Sequence, residues 1–332
     1  MKQTLLALFA AIAFGATAAH GQAPPPSPAT ITFQSATYDD FRQVLTRQAP
    51  TASVSIRAKL EFPEQGRDRY PAVIVVHSLG GYREANEGYF AAELRKAGYA
   101  TLTYDSFAAR GTTGQVFSSS PGYLTAGVAD AFVALRWLAS EPRIDPGRIA
   151  ILGFSYGGDV AHLTAFEPLR AALDPGSLRF AAHVAFYPAG SVGVIADGGG
   201  YTGSPVLMML GGKDDNLPVA KIENYLAYAQ AAGHPAPIEL VIYPGAYHAW
   251  TVSDAPPLRF YPELVSTKKC PIILFGSGPP KILVGGETRP FDPGTYSACL
   301  REAPGYSLAY DAAVRAQSLA DAQRFLARNL RR

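Results

Sequence analysis

The stretch that most constrains this chain is residues 148–158, Arg-Ile-Ala-Ile-Leu-Gly-Phe-Ser-Tyr-Gly-Gly. Ile149, Ala150, Ile151 and Leu152 make a short continuous apolar run, the pattern of a strand buried on both faces of a parallel sheet. The run ends in Gly153-Phe154-Ser155-Tyr156-Gly157. From Tyr156 on, Gly158, Val160, Ala161 and Leu163 read as a helix packed back on that sheet. Strand, sharp turn and helix are the setting in which a Gly-x-Ser-x-Gly motif exposes a serine hydroxyl. The turn strains the serine backbone, and the flanking glycines remove side chains that would collide.

Around this stretch, strands and helices alternate. Residues 51–62 read as an early strand pair, 72–76 as a buried strand ending at His77-Ser78-Leu79-Gly80-Gly81, and 83–97 as a helix closed by Gly98. A strand at 99–104 ends in Asp105-Ser106-Phe107-Ala108-Ala109-Arg110-Gly111, and Val128, Ala131, Leu135 and Leu138 share one helix face. Strands at 181–186, 205–210 and 238–243, with helices near 219–232 and 310–330, complete the series. This rhythm predicts an α/β fold: a mostly parallel central sheet with helices on both faces, whose active-site loops lie at the carboxyl ends of the strands. A Pro/Gly-rich stretch at about 253–305, with a hairpin at 272–275 and 281–284, reads as an insertion that either caps the site or decorates the surface.

At 332 residues, 48% of them hydrophobic and 17% charged, the chain can bury a large core. A net charge of +2 without a basic run excludes nucleic acid as a partner. Lys2, an apolar stretch at 5–14 and Ala16-Thr17-Ala18 predict a cleavable signal peptide over residues 1–23, hence a periplasmic or secreted protein with no stable membrane insertion after cleavage. Residues 24–50 are then a lead-in, and 51–332 the folded domain. In an oxidising compartment Cys270 and Cys299 point to a disulfide, worth about 3–4 kcal/mol by loop entropy; two separate buried thiols are the alternative.

A serine hydroxyl needs a base to accept its proton, and the base needs an acid that orients it. Of six histidines, His248 follows the last sheet strand in Tyr243-Pro244-Gly245-Ala246-Tyr247-His248, on a loop able to reach over the sheet edge. One of Asp214 and Asp215, in the loop after the 205–210 strand, meets it; the other caps the next helix or faces water. The developing oxyanion needs two donors: the backbone N–H of Tyr156 and an N–H from the turn after the 72–76 strand, at Leu79. No metal or organic cofactor is expected, since His and Cys spacing offers no zinc site and Gly198–Gly200 lacks the ending of a phosphate loop.

With these motifs in view, the chain resembles the dienelactone hydrolase family of α/β-hydrolases over residues 54–250 plus the last helix. The resemblance rests on Gly-Phe-Ser-Tyr-Gly-Gly, Gly-x-x-Asp-x-x-x-Pro at 211–218, Tyr-Pro-Gly-Ala-Tyr-His at 243–248 and Asp-Ser-Phe-x-x-Arg-Gly at 105–111. It implies Asp214 as the acid partner of His248, four residues before Pro218. It also implies substrate contacts at Arg110, one of two arginines that hold a substrate carboxylate, and at His77, where the family carries a glutamate. Arg110 alternatively serves as a structural ion pair. The second clamp position falls at Val252, and the nucleophile is Ser155 where the family typically has cysteine. The expected activity is hydrolysis of small neutral or weakly charged carboxylic esters by Ser155, His248 and Asp214. A dienelactone or lactone hydrolase is the enzymatic alternative, and a catalytically silent binding protein is disfavoured by the complete Ser/Asp/His set.

Overall fold

The computed structural model describes residues 27–114, 122–174, 176–190, 192–194, 200–276 and 278–330. The expected signal peptide lies outside them. The described chain builds an eight-stranded sheet in the order β1-β2-β4-β3-β5-β6-β8-β9. These strands are β1 (Ala29–Thr37), β2 (Ala52–Glu61), β3 (Tyr70–Val76), β4 (Ala100–Tyr104), β5 (Ile144–Phe154), β6 (Ala182–Phe186), β8 (Val206–Gly211) and β9 (Ile238–Tyr243). The last six are parallel, and the β1–β2 pair is antiparallel at one edge.

All seven β3 residues are buried, as expected where helices cover both faces. Ile74 and Val76 pack with Val128, Leu135 and Val160, from α3 (Tyr123–Ser140) and α4 (Tyr156–Leu163). Val73 and Val75 pack with Phe90 and Leu94 of α2 (Tyr89–Lys96) and with Phe325 and Leu326 of α8 (Ala312–Leu330). Successive strand residues thus feed opposite cores, the consequence of a side-chain period of two. Other helices are α1 (Phe41–Leu45), α5 (Glu167–Leu173), α6 (Val219–Ala231) and α7 (Pro293–Glu302).

Two expectations need correction. Residues 29–45, placed in the lead-in, form β1 and α1 and belong to the domain; β1 looks like linker in the sequence because only Phe33 and Ser35 of its nine residues are buried. Residues 51–62 form one strand, whose antiparallel partner is β1 rather than a second half of the same segment.

The insertion is structured. Strands β11 (Ile272–Phe275) and β12 (Lys281–Val284) form the expected hairpin, extended by β13 (Glu287–Pro290) and by a parallel pairing of β11 with β7 (Val192–Val194). A second small pair joins β10 (Arg259–Tyr261) to β14 (Tyr306–Leu308). Cys270 and Cys299 are bonded, tying the approach to β11 to α7.

Candidate active site

Strand β5 delivers Ser155 to the carboxyl edge of the sheet, where φ is +50° and ψ is −111°. This is a region that L-residues avoid, so the surrounding fold must impose it. The glycines make the turn possible. A Cβ on Gly153 would lie 2.0 Å from the Gly157 carbonyl oxygen, and one on Gly157 would lie 2.4 Å from the Val76 oxygen. The Ser155 N–H donates to the Phe186 carbonyl at 2.9 Å, and its own carbonyl accepts from Asp159 N–H at 2.9 Å. The backbone is therefore held from β6 and from α4 together.

Ser155, His248 and Asp214 are far apart in sequence and converge here. The Ser155 Oγ–His248 Nε2 distance is 2.9 Å, and His248 Nδ1 lies 2.7 Å from Asp214 Oδ2. All three side chains are buried. Asp214 Oδ1 accepts the N–H groups of Asn216 and Leu217 at 2.9 and 3.0 Å, so one carboxylate both faces the imidazole and closes its own turn. The role expected for Asp215, capping the next helix or facing water, is corrected accordingly. Its Oδ1 accepts Ser307 N–H at 2.8 Å and its Oδ2 contacts Ser307 Oγ, which binds the segment just after the insertion. The imidazole is flanked edge-on by Tyr187 and Tyr306, with ring centroids 5.0 and 5.2 Å away.

The two residues expected to supply oxyanion donors lie at the start of α4 and in the turn after β3. Tyr156 begins α4, so its N–H is among those at a helix N-terminus, which carry no intrahelical partner and favour negative charge. Leu79 sits in the turn after β3, closed by Gly81 N–H on Ser78 oxygen at 3.1 Å. Three side chains hold that turn, the buried His77 and Glu87 and the partly exposed Asp105. Asp105 accepts from Tyr82 N–H at 3.1 Å, and Glu87 accepts from Ser78 N–H at 3.2 Å and Arg83 N–H at 3.0 Å. His77 is the third, and its expected place in the substrate pocket is corrected. It is 0% exposed, accepts Ser106 N–H on Nε2 at 3.0 Å and donates from Nδ1 to the Ser78 oxygen at 2.7 Å. It braces the turn from below.

Glu87 was not foreseen. Burial raises its carboxyl above the usual range, against the N–H groups it accepts and the Asn86 amide. The sequence did hold a signal: in the helix expected over 83–97, Glu87 shares one face with Phe90, Ala91 and Leu94, at i, i+3, i+4 and i+7. In the structure it lies in the π-helical turn Glu84–Gly88 that leads into α2. From Asn86 a buried chain continues through Thr251 Oγ, which donates to Asn86 Oδ1 at 2.7 Å, to the Tyr187 hydroxyl. The turn after β3 and the histidine loop thus share one polar network.

Arg110 is also corrected as a substrate-binding residue. Its guanidinium makes two bonds to Asp130, at 2.8 and 2.9 Å, and reaches Thr37 and the carbonyls of Ala36 and Ser106. That is the ion-pair reading, in an almost fully buried setting. Val252, the other clamp position, is buried and apolar. Among the described residues no cluster of three His, Cys, Asp or Glu side chains is placed to hold a metal ion.

A mostly parallel sheet with a strained serine between strand and helix is the architecture of an α/β-hydrolase. A model of the dienelactone hydrolase family matches residues 56–268, and the chain belongs to that family. A Yersinia pestis protein that carries the name carboxymethylenebutenolidase is 29% identical over 217 residues, covering 62% of this chain and 78% of the relative. A Methylorubrum extorquens protein of the same name is 28% identical, covering 58% and 67%. In fold, the chain is similar to a dienelactone hydrolase-like promiscuous phosphotriesterase from metagenomic libraries, with a TM-score of 0.55 at 17% identity, over 91% of this chain and 99% of that one.

Proposed function

We propose that this hydrolase cleaves small, neutral carboxylic esters through an acyl-enzyme on Ser155. The observation that carries the reading is the continuous hydrogen-bonded line Ser155–His248–Asp214, 2.9 Å and 2.7 Å long. His248 Nε2 accepts the hydroxyl proton as Ser155 Oγ attacks the ester carbonyl, and returns it to the departing alkoxide. Asp214 keeps the Nδ1–H pointed at itself and stabilises the imidazolium that forms. The N–H groups of Tyr156 and Leu79 receive the oxyanion, whose charge exists only after attack, so their contribution falls on the transition state. Water, deprotonated by the same imidazole, then attacks the acyl-enzyme and releases the acid.

The relatives' name points to dienelactones, which carry a carboxylate. At the two positions where the family resemblance places a carboxylate clamp, this chain has an arginine engaged by Asp130 and a buried valine, and that favours neutral substrates. Hydrolysis of short-chain p-nitrophenyl esters tests the reading. Ser155→Ala is expected to lower kcat at least about 10⁴-fold with the fold intact. A rate within tenfold of wild type in that variant would remove Ser155 from the chemistry.

We further propose that the chain is exported and loses residues 1–23. The reading rests on the charged, apolar and small-residue pattern of that segment, and the Cys270–Cys299 bond supports an oxidising destination. Intact mass of the chain recovered from periplasm or medium checks it. A full-length chain recovered only from cytosol is the contrary result.

A further inference from the structure

The family match ends at residue 268, yet the histidine loop is held by residues well beyond it. Ala249, next to His248, adopts φ of +62°, a left-handed conformation that a non-glycine residue avoids. The carbonyls on either side of it are both fixed by the segment that follows the insertion: Ala309 N–H donates to the His248 oxygen at 3.1 Å and Asp311 N–H to the Trp250 oxygen at 3.0 Å. His248 and Leu308 form a parallel bridge. The Tyr306 ring lies edge-on against the imidazole, and Ser307 is bound twice by Asp215, the neighbour of the residue that orients the imidazole. One extended segment, 306–311, therefore touches both loops that must meet for the Asp214–His248 pair to form.

We propose that this segment is a positioning strap for the catalytic base, with Asp215 and Tyr306 as positioning residues that act through His248 and touch no substrate. The inference rests on the serine-hydrolase reading above. Physically, the strap fixes a strained loop in register from outside while the Thr251–Tyr187–Asn86 network fixes it from inside. The imidazole is then presented to Ser155 without a search over loop conformations. Without the strap, Ala249 relaxes toward ordinary backbone angles and His248 Nε2 drifts from Ser155 Oγ. The carboxyl group of Asp215, half-buried at the surface, can be altered without opening the core.

The test is steady-state hydrolysis of p-nitrophenyl butyrate by the full chain. Rates are divided by the concentration of sites that diethyl p-nitrophenyl phosphate labels, with the labelled residue identified by mass spectrometry. Asp215→Ala and Tyr306→Ala are each expected to lower kcat about 10- to 100-fold, with KM changed less than about threefold, because geometry at the reacting atoms rather than substrate binding is lost. Asp215→Asn keeps an acceptor for Ser307 N–H and is expected to recover most of the rate. A kcat for Asp215→Ala within about twofold of wild type, in a preparation whose wild-type Ser155 is labelled one-to-one, overturns the strap and leaves the serine reading standing. Failure of the label to find Ser155 in wild type overturns the serine reading itself. Tyr306 is buried, so if Tyr306→Ala does not fold, the Asp215 pair alone decides, with thermal melting showing that both of those variants are native.

Discussion

Ser155 and Ala249 are two non-glycine residues held at positive φ on facing sides of the site, at +50° and +62°. Each costs about 1–3 kcal/mol of strain and persists only because neighbours over-determine it. For Ser155 those neighbours are Phe186, Asp159 and the close backbone approach that Gly153 and Gly157 permit. For Ala249 they are the amides of Ala309 and Asp311. In the proposed mechanism, strain at one position aims the nucleophile and at the other the base. The carboxylates around them divide their work in a way that residue type cannot show. Asp214 orients the imidazole, Asp215 binds the strap, and Glu87 and Asp105 hold the turn after β3 by accepting backbone N–H groups. Arg110 belongs with these supporting residues.

At the scale of elements, Arg110 joins three pieces of structure: β1 through Ala36 and Thr37, the loop after β4 through Ser106, and α3 through Asp130. Removing one member of a buried ion pair leaves the other charge without compensation. Arg110→Ala is therefore expected to cost about 3–5 kcal/mol in urea unfolding. KM for neutral and for carboxylate-bearing esters should change alike. A rise confined to the carboxylate-bearing ester would return Arg110 to substrate binding. The elements themselves were readable wherever a segment is buried on both faces. Strand β9 at 238–243 and the 272–275/281–284 hairpin fall where periodicity and turn residues place them. Strand β1 was not readable, because a half-exposed edge strand after a proline-rich stretch carries little apolar pattern, and its pairing with β2 is a tertiary fact. The same holds for the parallel β7–β11 pairing, between segments about eighty residues apart.

For the molecule as a whole, buried groups contribute to the dependence of stability on pH; Asp159, His162 and His183 are three of them, and the raised Glu87 carboxyl acts in the same sense as Asp159. Burial pushes the Asp159 carboxyl up to about 7, and the imidazoles of His162 and His183 down to about 4 and about 3. The raised carboxyl contributes stability at low pH that is lost as pH rises toward about 7. The depressed imidazoles contribute stability above about pH 6.5 that is lost as pH falls through about 4 and about 3. Between about pH 4 and 6.5 the unfolded chain holds two more protons at the histidines, and the native chain holds one more at Asp159. Taken by themselves, these three groups make stability fall on acidification. Asp159→Asn removes an opposing carboxyl, and the fall of stability on acidification is expected to steepen. Urea titrations across that range read both slopes, and equal slopes in the two proteins would show that Asp159 does not hold its proton in the fold.

By itself the sequence determined the fold class, the serine turn and the histidine that meets it, and narrowed the aspartate to Asp214 or Asp215, between which the family resemblance chose. All of these depend on local patterns: a buried strand cut by glycines, and loops that follow apolar strands. The tertiary structure alone decided that His77 and Arg110 face inward, that Asp215 binds the segment just after the insertion, and that a segment beyond residue 300 steadies the histidine loop. Those outcomes turn on which distant surfaces pack together. Side-chain direction and burial are properties of that packing, and no stretch of sequence carries them alone.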